Sequence, residues 1–179
     1  MSGITIQRVS IIKLQTDAVV NAANEGLWEG GGVCGYIFRE AGTEEMTRAC
    51  NEIGGCETGH AVITPGFRLP AKYVIHAVGP RWAGGDHREP ELLYSAYWES
   101  LKLAMENGLH SIGFPLISAG IFRYPPELAW QQAILACKDF LAEHSGYDMQ
   151  IVFAVLDPEI HALGEKVLEQ TMFEQAILE

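Results

Sequence analysis

Residues 17–35 read DAVVNAANEGLWEGGGVCG, and the order of residue types in this stretch decides the fold. The apolar run Ala18–Asn21 fits a short buried strand. The glycines Gly30, Gly31 and Gly32 follow, and Val33–Ala41 then carries a helical pattern. A strand that enters a helix through glycines lets backbone N–H groups approach an anion with no Cβ in the way, and the helix N-terminus adds favourable partial charge. The stretch has neither the Gly-Lys-Ser/Thr ending of a Walker A loop nor a GxGxxG fingerprint. A glycine cluster is also the ordinary mark of a flexible turn, so this loop alone leaves both readings open.

The stretch 114–125, FPLISAGIFRYP, repeats the architecture. An apolar strand runs into the small residues Ser118, Ala119 and Gly120, and a helix pattern starts beyond Pro125. Two such loops can grip a diphosphate from two sides. Further strands are expected at Ile4–Val9, His60–Thr64, Tyr73–Ala77, Ser111–Pro115 and Gln150–Val155, and further helices at Glu44–Ile53, Glu91–Glu106, Glu127–Glu143 and Pro158–Phe173. Strands that alternate with helices predict an α/β fold, a largely parallel sheet covered on both faces, with ligands at the carboxyl ends of the strands. Arg81–Pro90 reads as a surface loop, with Trp82 either a functional aromatic or a cover for a core edge.

The 179 residues fit one domain spanning 1–179. An apolar share of 48% and a charged share of 20% are ordinary globular values. The apolar runs are far too short for a membrane span. The start of the chain has no basic segment leading into an apolar one, so a cytoplasmic location is expected. Cys34, Cys50, Cys56 and Cys137 form no CxxC pair, which suggests neither a zinc site nor a disulfide framework. The net charge of −11 argues against a nucleic-acid partner, whose phosphates are neutralised by clustered Lys and Arg. A phosphate-bearing ligand would have to be held by uncharged backbone donors, which returns attention to the two loops.

NAAN at 21–24, GGGV at 30–33 and ISAGIFRYP at 117–125 together resemble the paired signature of the macrodomain family. The stretches 58–64 and 69–80 resemble the strands between its loops. The pattern is most like the branch that acts on O-acetyl-ADP-ribose or mono-ADP-ribosylated protein. The resemblance implies a three-layer α/β/α fold around a mixed, mostly parallel sheet of about six strands, with ADP-ribose or O-acetyl-ADP-ribose as ligand and no cofactor or metal. It implies that Asn24 meets the distal ribose hydroxyls. Gly31, Gly32 and Val33 then lie beside the diphosphate and distal ribose, and Ser118, Ala119, Gly120, Ile121 and Phe122 close over the phosphates. Read as a residue alone, Asn24 equally suits a turn at a strand end.

The chain also departs from the family pattern. Cys34 stands where the hydrolase branch commonly has an aspartate that orients water. As a thiol at a helix start it is a candidate catalytic residue beside Asn24, and as a small packed side chain it is not. Phe38 replaces a histidine. At the adenine end Ser10, followed by Ile11, stands for an aspartate, and Leu156 for a stacking aromatic. Arg123, in place of a glycine, reaches the phosphates or lies in solvent. Two functions follow: a hydrolase in which water attacks at the distal ribose, and an ADP-ribose reader without turnover.

Overall fold

The computed structural model describes residues 2–178; Met1 and Glu179, the ends of the expected 1–179 domain, lie outside the described residues. The strands are β1 (Gly3–Gln7), β2 (Ala18–Ala22), β3 (Ala61–Pro65), β4 (Tyr73–Ala77), β5 (Ser111–Phe114) and β6 (Gln150–Ala154). The helices are α1 (Gly32–Ala41), α2 (Thr43–Ile53), α3 (Glu89–Glu106), α4 (Pro126–Glu143) and α5 (Pro158–Leu178), with a 3-10 turn at Ile11–Lys13. The six strands form one sheet in the order β1-β6-β5-β2-β4-β3. All pairings are parallel except that of β3 with β4. The expected α/β fold with a mixed, mostly parallel sheet is therefore the observed one.

Alternation along the strands divides the interior into two layers, because successive side chains in a strand point to opposite faces. Ala18 and Val20 of β2, Ile75 and Ala77 of β4, and Ile112 and Phe114 of β5 face a large core. That core is completed by Leu93, Tyr97 and Leu101 of α3, Trp130, Ile134 and Phe140 of α4, and Val167 of α5. On the other face Val19, Val74 and Val78 meet Ile37 and Phe38 of α1, Met46 and Cys50 of α2, and Ile11. Phe38 is fully buried, which explains why an apolar residue sits there.

Some boundaries differ from expectation. Helix α3 starts at Glu89, with Pro90 inside the first turn where its missing N–H costs nothing, so the preceding loop is shorter than Arg81–Pro90. Trp82 is half-buried and packs on Tyr124 with ring centroids 4.8 Å apart, the core-edge role. Helix α5 runs on to Leu178, past the expected end at Phe173. Its last turns carry exposed Ile177 and Leu178, so the backbone pairing of the helix continues after burial, the signal available in sequence, has ended.

Helix α5 crosses the core at Gly164, where an added Cβ would stand 2.6 Å from two atoms of the Trp130 indole. The indole is fully buried and fixed by an Nε1–H bond to the Ile160 carbonyl at 2.9 Å, so it has little room to give way. Gly164→Ala is expected to cost about 1–3 kcal/mol by overpacking, read as a lower urea midpoint with an unchanged m-value.

Candidate functional site

Strands β2 and β5 are neighbours, yet α1 after β2 covers one face of the sheet and α4 after β5 covers the other. The chain diverges there, and a crevice opens beyond the carboxyl ends of the two strands. A cleft with about 740 Å³ of space not occupied by atoms, part of it open to solvent, lies at this point. The glycine loop (Gly30–Cys34) forms one wall and Pro115–Ser118 with Gly120–Phe122 the other. Ala22, Ala23 and Asn24 make the floor. The walls touch at the rim, where a Cβ on Gly31 would be 3.1 Å from Ile121 Cδ1.

The first wall starts α1 at Gly32, whose φ of +58° is readily adopted only by glycine. Asn24 braces the loop beneath: its Oδ1 accepts from Trp28 N–H at 3.1 Å and its Nδ2 donates to the Trp28 carbonyl at 3.0 Å. Each amide group retains a second site for a ligand. Cys34 is buried, and its sulfur accepts from Gly30 N–H at 3.4 Å and from Asn21 Nδ2 at 3.5 Å while facing the Trp28 carbonyl at 3.7 Å. These contacts fit a thiol that pins the loop to the strand.

Behind Cys34 lies a fully buried imidazole. Asn21 Nδ2 is 3.1 Å from His76 Nδ1, and an amide N–H can only donate, so Nδ1 accepts and Nε2 carries the proton. That proton points to Thr64 Oγ1 at 3.0 Å, with Cys50 Sγ at 3.9 Å. Burial pushes His76 down to about 4 and, with a smaller contribution from Cys34, pushes the Cys50 thiol up to about 11. The layer under the loop is thus neutral and dry.

The second wall is shaped from below. Tyr97 of α3 is fully buried, and its hydroxyl accepts from Ile117 N–H at 2.8 Å and donates to the Pro115 carbonyl at 3.2 Å. Ser118 then turns with a φ of +70°. The residue lines the cleft, and its hydroxyl oxygen is buried with no hydrogen-bond partner among the described residues. An unpaired buried hydroxyl is costly unless something meets it.

Of the residues singled out in sequence, Asn24, Gly31, Gly32, Val33, Cys34, Ser118, Gly120, Ile121 and Phe122 come together around this cleft. Ala119 sits within the second loop without lining the cleft. Ser10, Ile11 and Leu156 stand apart from it. Ser10 and Ile11 follow β1 and Leu156 follows β6, at the same edge of the sheet; Ile11 is buried in the smaller core and Leu156 is 63% exposed. Arg123 is exposed, with a φ of +63°. Asp157, beside Leu156, caps α5 by accepting from Glu159 and Ile160 N–H. No group of three or more His, Cys, Asp or Glu suited to a metal occurs among the described residues. No helix of the described residues is long and apolar enough to cross a membrane.

The reading of the sequence missed Gly79, which lines the cleft just beyond β4. A Cβ there would lie 2.2 Å from Ser118 Oγ and 2.5 Å from Ile117 Cγ2. The available signal was a Gly-Pro pair at the end of a buried strand.

The Macro domain family model matches residues 20–133. An O-acetyl-ADP-ribose deacetylase of Citrobacter koseri is 46% identical over 173 residues, covering 94% of this chain and 97% of the relative. A solved Oceanobacillus iheyensis macrodomain with ADP superposes with a TM-score of 0.89 at 33% identity, over 94% of this chain and 91% of the other. A Trypanosoma brucei macrodomain in complex with ADP-ribose gives 0.85 at 39% identity, over 91% and 68%.

Two outcomes follow from the geometry. Gly79→Ala is expected to destabilise the fold by about 1–3 kcal/mol, and Ser118→Gly in the same chain to restore part of that loss by removing one clash and a strained left-handed residue; denaturation of the two single variants and the double variant checks this. His76 has its folded pKa depressed from 6.5 to about 4, so below pH 6.5 the unfolded chain binds the extra proton and stability falls towards pH 4, by up to ~3 kcal/mol. Urea titrations across that window should show the loss, and His76→Gln should remove this share of it.

Proposed function

The chain belongs to the Macro domain family, and we propose that its cleft binds ADP-ribose and derivatives and hydrolyses O-acetyl-ADP-ribose or mono-ADP-ribosylated protein by water attack at the distal ribose. The observation that carries the binding reading is a pair of strand-to-helix loops meeting over a crevice at the switch point of the sheet, with backbone donors and an unpaired Ser118 hydroxyl but no cation in the lining. Such a lining suits a diphosphate held by N–H groups and a helix start. In this proposal the whole chain acts as one macrodomain.

Asn24 positions the distal ribose with the amide positions not spent on Trp28. Gly31, Gly32 and Val33 face the diphosphate from one loop, and Ser118 to Phe122 from the other. Ser10, Ile11 and Leu156, at the carboxyl ends of strands beyond β5, serve the adenine end. Preorganised amides that favour developing charge provide most of the rate effect. Cys34 belongs to the reacting end as the residue that fixes the loop; its three polar neighbours support bracing. The relatives with deacetylase names support turnover. One feature favours the second reading, a reader without turnover: among the described residues Cys34 is the only titratable side chain lining the cleft.

Release of ADP-ribose from O-acetyl-ADP-ribose and from a mono-ADP-ribosylated protein, followed beside a calorimetric titration with ADP-ribose, separates the two. Turnover is expected, with a loss of about 100-fold or more in Asn24→Ala. Saturable binding without product would leave the reader. Cys34→Ser should keep activity within about threefold, since a hydroxyl can still accept from the loop, whereas a thiol with a chemical role would lose it almost entirely.

A further inference from the structure

A second cavity, with about 690 Å³ of empty space, adjoins the cleft; Asn24, Gly79 and Phe122 line both. Glu25, Thr58, Arg81, His87, Glu89 and Leu92 contribute to its lining, and none of residues 30–34 of the glycine loop does. Nothing in the diphosphate reading uses it. Asn24 stands at the junction, so a ribose held there would have this second space open to a group attached to it.

Its charged groups are not equivalent. Glu89 is buried, and its carboxylate accepts N–H bonds from Ala83 and Gly85 at 2.9 and 2.8 Å on one oxygen and from His87 on the other. Burial alone would raise its pKa, but these donors overcome that and hold it at about 2. It is spent on shaping the 83–87 loop. Glu25 is exposed and accepts from Thr58 N–H at 3.4 Å. His87 pairs with exposed Asp86 at 2.9 Å.

Arg81 differs. Its guanidinium lies 4.6 Å from the centroid of the Phe122 ring, and it makes no ion pair among the described residues. The ring contact uses none of its N–H groups in a hydrogen bond, and a guanidinium fork matches a planar carboxylate bidentately. The ring that holds it is the one shared with the cleft.

We infer that this cavity is the acceptor subsite and takes a carboxylate, with Arg81 as the residue that receives the acyl group or acidic side chain released from the ribose. The inference rests on the cleft being an ADP-ribose site. Ester hydrolysis delivers such an anion whichever carbon is attacked. Water oxygen bonds either to the ribose carbon or to the acyl carbon, and the ester bond to that carbon breaks with its electron pair on the departing oxygen. One proton of the water ends on the ribose hydroxyl and the other in solvent. Arg81 lines this cavity and not the cleft assigned to the diphosphate, so in this assignment it sets which linkage is accepted and leaves nucleotide affinity alone.

The test uses the full chain, isotope-labelled, titrated with acetate and with agmatine as a guanidinium probe, both free and after saturation with ADP-ribose. Acetate should move the Arg81 Nε–H resonance saturably. Arg81→Gln should weaken acetate binding at least about fivefold and kcat/KM on the ester substrate about tenfold, with ADP-ribose affinity within about twofold of the parent. Agmatine should give no saturable shift. Equal acetate binding in Arg81→Gln, saturation by neither probe, or agmatine binding that is lost in Glu25→Gln would each overturn the assignment. A failed ADP-ribose titration would instead remove the reading of the cleft, while acetate binding to the free chain still decides whether Arg81 receives carboxylates.

Discussion

The divergence of the chain at β2 and β5 is the constraint on which the site depends. Two adjacent parallel strands send their helices to opposite faces, so the gap between them is left open and both loops line one crevice. The second loop can sit as it does against the end of β4 because the backbone at Gly79 carries no Cβ to meet Ser118 and Ile117. From below, Tyr97 fixes one wall through two hydrogen bonds, and Cys34 and Asn24 fix the other through the Trp28 segment.

The charge balance gives this arrangement a physical logic. A chain of net charge −11 repels a pyrophosphate at long range. Attraction must come from short-range donors, and dipoles in a partly dry cleft act strongly at contact and weakly beyond it. The neutral, buried His76 and the uncharged walls are consistent with that. Such a site is insensitive to salt compared with one built from lysines.

Strands and helices were visible in the sequence because their signals are local. The alternation of Ala18, Val19 and Val20 and the glycines before Val33 each report on a few neighbouring residues. The loop pair was visible for the same reason, and most of its members do meet at one cleft. Contacts between distant segments were not visible. Nothing in the neighbours of Gly79 announces a serine 39 positions later pressed on its backbone. Glu89 carries no sequence sign that its carboxylate gathers three N–H groups, and α5 outruns its apolar pattern because helix pairing needs no burial. Ser10 and Leu156 were selected by resemblance, and they follow neighbouring strands, outside the cleft itself.

The two cavities draw on different parts of the chain. The first is built mainly from residues 22–34 and 115–122, whereas most of the second comes from 58 and 78–92, with Asn24, Gly79 and Phe122 held in common. Tolerance to substitution is partitioned accordingly. Replacements at positions such as Thr58 or His87 leave the glycine loop and its braces intact, so the second cavity can change its chemistry without disturbing the hydrogen bonds that hold the first.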